Sequence, residues 1–189
     1  MDTKHKLYMI MLGCKPDGRF TEQHDIFFGI GTSLKDLVPQ MKAFWPEAKG
    51  KIHIDAWREV THVNNHHIEI VLREHSDESS TEKLFFLNLG GYKENDFEEY
   101  HYKMLAVAKT LGLATRKSKT TAFFKHCGFK GAESHIDEKY GVDVDDRYRV
   151  DDMLPSTTKL LYGLKITKSE NVIEDDQLHI GYVKISGLK

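Results

Sequence analysis

The sequence predicts an α+β protein of two pseudo-symmetric β-β-α-β-β repeats, with strands in mixed or antiparallel sheet and helices packed on one face. Two observations carry this. Residues 6–30 realign without a gap on residues 83–107, with seven of 25 positions identical, among them Gly13/Gly90, Phe20/Phe97, Glu22/Glu99 and His24/His101. Further on, His53-Ile54-Asp55 recurs as His135-Ile136-Asp137. Self-similarity of this kind constrains the architecture before any single residue is weighed.

The first repeat, residues 6–73, opens with the apolar run Lys6–Gly13, a strand. Pro16 and Asp17-Gly18 make Cys14–Arg19 a loop, and Asp25–Ile30 is the second strand. Thr32 or Ser33 can N-cap a helix whose Leu34, Leu37, Val38, Met41, Phe44 and Trp45 share one face. Pro39 inside it calls for a kink or a late start. Lys51–Val60 alternates as a strand, Asn64-Asn65 marks a turn, and His67–Leu72 is the returning strand of a hairpin.

A polar, Ser-rich stretch, Glu74–Glu82, links to the second repeat, residues 83–189. Strands are expected at Lys83–Gly90 and Tyr102–Ala108, then a helix within Leu113–His126 closed by Gly128, then the His135 strand. Asp143–Asp152 is acidic and irregular, and its Asp143-Val-Asp-Asp146 lacks the Gly and Glu of a calcium loop. Lys159–Ile166 and Gln177–Ile185 read as two closing strands, the last serving the second repeat as the Lys83 strand serves the first. Each repeat spans only about 80 residues, marginal alone, so one continuous globular domain is expected.

Net charge is −2, from 27 basic and 29 acidic residues, which offers no electrostatic case for nucleic acid or an anionic membrane. No apolar stretch approaches the roughly 18 residues of a membrane span, and no signal peptide is legible. Two cysteines, Cys14 and Cys127, lie outside the duplicated pattern and argue for a reducing, cytoplasmic setting. Nucleophile-elbow and phosphate-loop motifs are absent, which weighs against nucleotide-dependent chemistry.

Residues two apart on a strand share a face. Glu22 with His24, and His53 with Asp55, therefore form two polar pairs able to converge; Glu99, His101, His135 and Asp137 form the second set. Such a set suits a divalent metal ion, a histidine base oriented by a carboxylate, or a small-molecule ligand, and equally hydrogen bonding that merely completes the sheet. Arg19 could stand at the mouth of the first site, where Asp96 replaces it in the second repeat. His62, His66 and His67 border a turn and read as surface residues.

At Leu12-Gly13, Gly18-Arg19, Glu22-x-His24-Asp25, Phe28-Gly-Ile-Gly31 and His53-Ile-Asp55 the chain resembles the bacterial domain-of-unknown-function 1543 family, whose members carry the domain once or in tandem. The resemblance implies a bacterial cytoplasmic protein with two copies and carries no activity. A small-ligand binding or interaction module is the leading expectation. The alternative is a metal- or acid-base-dependent enzyme using the Glu/His/His/Asp set.

Overall fold

The computed structural model describes residues 4–76, 80–128, 135–136 and 149–188. In chain order the elements are β1 (Lys6–Cys14), β2 (Gln23–Gly31), α1 (Val38–Phe44), β3 (His53–Glu59), β4 (His62–Val63), β5 (His66–Leu72), β6 (Lys83–Tyr92), β7 (Glu99–Ala108), α2 (Leu111–Ser118), α3 (Ala122–His126), β8 (His135–Ile136), α4 (Val150–Met153), α5 (Ser156–Leu161), β9 (Tyr162–Lys168) and β10 (His179–Lys184). The fold is α+β, and every ladder between these strands is antiparallel. The chain forms two compact units: Met1–Asp77 with Met153–Lys189, and Glu78–Asp152.

In the first unit β1 is an inner strand of the four-stranded order β10-β3-β1-β2. Its period-two pattern puts Tyr8, Ile10 and Leu12 into one core with Phe27 of β2 and Ile54 of β3, and Leu37 and Met41 close over them. The helix begins late. Residues Lys35–Leu37 form a single 3-10 turn, and Pro39 sits in the first turn of α1, where its missing N–H costs nothing. Ser33 accepts the Asp36 N–H at 3.3 Å, but the 3-10 turn has Leu34 at its N-cap, and α1 has Leu37, neither with a side-chain cap. Asn64 and Asn65, at φ 48° and 63°, make the tight turn joining β4 to β5. The hairpin is therefore β4–β5, while β3 stays in the larger sheet.

The closing segment departs from expectation. β9 pairs with β5, and β10 pairs with β3, so both complete the first unit and not the second. Apolar alternation fixes which side of a strand is buried, but it leaves open which sheet edge the strand joins. Lys159–Leu161 is helical in α5, and the strand begins only at Tyr162. Pro155 stands at its N-cap, and a short apolar run is ambiguous by periodicity.

In the second unit β6 lies between β7 and β8. Phe85, Leu87 and Leu89 pack with Ala106, Ala108, Leu111 and Ala114, and half-buried Phe123 and Phe124 join them. The expected single helix is two: Thr110 caps α2 by accepting the Leu113 N–H at 3.3 Å, and Thr121 caps α3 by accepting the Phe124 N–H at 3.2 Å. Gly91 is there because backbone comes close. A Cβ on it would lie 2.3 Å from the Cys127 carbonyl oxygen, which accepts the Tyr92 N–H at 3.0 Å. Cys14 holds the aligned place in the first unit, its side chain buried in the core. Asp137 and Asp143–Asp146 lie outside the described residues. Gly91→Ala should cost about 1–3 kcal/mol, the usual overpacking penalty, measured by chemical denaturation. Wild-type stability in that variant would show that the backbone approach is not tight.

Candidate functional site

The site is organised by a residue without a side chain. Gly13 on β1 faces His24 on β2 and His53 on β3. Adjacent strands lie about 4.8 Å apart, so both imidazoles can lean over the glycine. A Cβ at Gly13 would stand 2.3 Å from His53 Nε2 and 2.3 Å from Asp55 Oδ2. Asp55 arrives by a register break. Met11 pairs with Ala56 and Leu12 with Ile54, which leaves Asp55 as the extra residue of a β-bulge, a device that bends a strand and re-aims its side chain.

The four side chains meet. His53 Nε2 is 3.1 Å from Glu22 Oε1 and 3.3 Å from Asp55 Oδ2. His24 Nε2 is 3.3 Å from Asp55 Oδ2 and 3.8 Å from Glu22 Oε2. Side-chain exposure grades from 11% at His53 and 21% at Asp55 to 41% at His24 and 45% at Glu22. The first two form a floor and the others a rim. His53 Nε2 and Asp55 Oδ2 are shielded from water, yet neither has an aligned hydrogen bond. The loop that delivers Glu22 is pinned by Asp17, 2.7 Å from Lys49, whose ammonium holds the Asp17 carboxyl below its ordinary value.

Sequence reading missed one member, Tyr182. Its ring centroid lies 4.4 Å from that of His53, at 35°. The residue comes from β10, where Gly181 and Tyr182 together oppose Asp55 at a second register break. Alternation marked the strand but gave no sign of its neighbour. Arg19 is exposed, its backbone N–H bonded to the Pro16 carbonyl, and it makes no ion pair among the described residues. Burial, reinforced by the charge of Glu22, raises the Cys14 thiol pKa, which disfavours its thiolate.

In the second unit Gly90 faces His101 and His135, the same register as at Gly13. Glu99 lies within β7, and its carboxylate accepts the Tyr92 hydroxyl at 2.8 Å. No group of three or more His, Cys, Asp or Glu side chains among the described residues is arranged to hold a metal ion. What the first cluster offers is hydrogen-bond acceptance and proton exchange between imidazole and carboxylate.

The family model of the Domain of Unknown Function (DUF1543) matches residues 19–70, the stretch that contains Arg19, Glu22, His24, His53 and Asp55, and it supports the family resemblance for one copy. The crystal structure of a protein Il1583 from Idiomarina loihiensis is similar, with a TM-score of 0.55 and 21% identity over 94% of this chain and 96% of that chain. At that identity the likeness speaks for the fold alone. No curated protein matches. No helix among the described residues is long and apolar enough to cross a membrane.

Gly13→Ala should push His53 and Asp55 apart, shifting the His24 and His53 imidazole resonances in an NMR spectrum. Unmoved resonances in a folded variant would refute the packing of the cluster over Gly13. In the native protein at neutral pH, a thiol reagent should leave Cys14 unmodified until the chain unfolds, read by mass spectrometry of the labelled peptides.

Proposed function

We propose that the first unit binds a small ligand rich in hydrogen-bond donors, an amine or a polyol, at Glu22, His24, His53 and Asp55. The observation that carries this is the pair of shielded, unaligned polar atoms, His53 Nε2 and Asp55 Oδ2, beneath two exposed partners. A shielded polar atom left without an aligned hydrogen bond loses up to about 1–3 kcal/mol, and a donor placed between imidazole and carboxylate recovers it. Ionised carboxylates only accept hydrogen bonds, so the cluster favours donors and cations over anions. Tyr182 supplies an aromatic wall beside His53. The near-balanced charge supports a small molecule over nucleic acid or a membrane surface as partner.

A second reading is favoured by one feature. His53 Nε2 has two carboxylate oxygens beside it, at 3.1 and 3.3 Å, which would stabilise a proton taken up on that nitrogen. In that reading the bound donor is a substrate and His53 takes its proton.

The matched registers at Gly13 and Gly90 support a pseudo-symmetric duplication, with the first copy as the working one. In the second, Glu99 is already engaged by Tyr92. Two free cysteines fit a reducing bacterial cytoplasm.

A panel of amines, amino acids and polyols, screened by ligand-observed NMR, should give binding that falls at least tenfold in Glu22→Gln and Asp55→Asn. Glu99→Gln should bind as wild type. Equal binding by Glu22→Gln and wild type, with both folded by circular dichroism, would overturn the assignment. Turnover of a bound member, lost in His53→Gln, would select the enzymatic reading.

A further inference from the structure

A second histidine cluster lies at the opposite end of β1, in a cleft of about 520 Å³ lined by Lys6, Thr61, His62, His67, Glu69 and Lys165 among others. The β4–β5 ladder sets His62 directly across from His67. Cross-strand partners project on one side of a hairpin, and here the rings meet edge to face, centroids 4.9 Å apart at 67°. His62 Nε2 and His67 Nδ1 are 3.0 Å apart.

The protonation of this pair follows from what lies behind it. Asp176, its side chain 4% exposed, accepts the backbone N–H groups of Thr61 at 3.0 Å and His62 at 3.2 Å. It also accepts the Thr61 hydroxyl proton. With that proton committed to Asp176, the Thr61 oxygen is an acceptor, and it lies 2.9 Å from His62 Nδ1. His62 therefore carries its proton on Nδ1, and its Nε2 lone pair points at His67. A buried carboxylate that fixes a tautomer through a hydrogen-bonded neighbour is the outer arrangement of metal-binding histidines.

The donor set narrows the ion. The two nitrogens now share a hydrogen bond, and a metal ion would take its place. With no third ligating side chain beside them among the described residues the pair cannot close a tetrahedral structural zinc site, whereas imidazole donors suit Ni²⁺ and Cu²⁺. Glu69 shares the His67 face of β5, but Lys4 and Lys165 hold its carboxylate at 3.4 and 3.6 Å. We propose that His62 and His67 bind a divalent nickel or copper ion as neighbouring ligands, with water in the remaining positions and Thr61 and Asp176 orienting His62. His67 then moves its ring proton from Nδ1 to Nε2, and its Nδ1 lone pair goes to the metal.

Untagged full-length protein titrated with NiCl₂ by isothermal calorimetry should show one ion per chain that depends on this pair. His62→Ala should weaken that equivalent at least tenfold. His67→Gln, at an exposed position where folding is least at risk, should do the same. Asp176→Asn should weaken it about tenfold, as expected for a lost outer partner. A His24→Ala/His53→Ala double variant should retain it. The proposal is overturned if the chain takes up no nickel. It is also overturned if His67→Gln binds as wild type, or if only the His24/His53 variant loses the ion. Unchanged affinity in Asp176→Asn overturns the orienting role of Asp176.

Discussion

Pairing of β1 along both of its edges is the constraint on which the first unit depends. The same ladders that bury Tyr8, Ile10 and Leu12 place His24 and His53 on either side of Gly13. A slip of one residue would turn the apolar set outward and carry Gly13 away from both histidines. Hydrophobic burial thus holds the polar geometry in place. The dryness of that buried side is registered at Tyr8, whose phenol is raised to about 12, first by burial and then by the charge of Glu59.

Much of the cluster was legible because strand periodicity is strict. Alternation put Glu22 with His24 and His53 with Asp55, and the repeat named all four, although Glu22 stands just before β2 and Asp55 sits in a bulge where alternation breaks. The role of Gly13 was harder to see: its identity with Gly90 was visible, but that two imidazoles would lean over it depends on which strands flank β1. The bulge at Asp55 and the approach of Tyr182 were illegible for the same reason, since both arise from register between segments distant in sequence. The helices were readable as regions but not as boundaries. Pro39 was expected to kink the helix or delay its start, and the helix does start late, after a 3-10 turn that no apolar spacing announces.

The two histidine clusters of the first unit stand at opposite ends of β1 and are governed differently. Around Gly13 the imidazoles meet carboxylates directly, in a partly open basin. At the β4–β5 hairpin a hydroxyl stands between imidazole and carboxylate, and the charge of Asp176 acts by fixing where the proton sits. That arrangement favours a held lone pair. The unit supports both because they rest on different sheets, β10-β3-β1-β2 and β4-β5-β9, each with its own register.

The return of the chain to the first unit has a consequence for synthesis. β3 gains its outer neighbour, and His53 its aromatic wall, only from residues 179–184, made after the whole of the second unit. A chain emerging from its N-terminus therefore exposes the outer edge of β3 for most of its elongation, a surface that other extended segments can pair with. The second unit, contiguous in sequence, can close first. The opening segment of the chain is then the last to be finished, and its candidate site is complete only when the closing strand has been made.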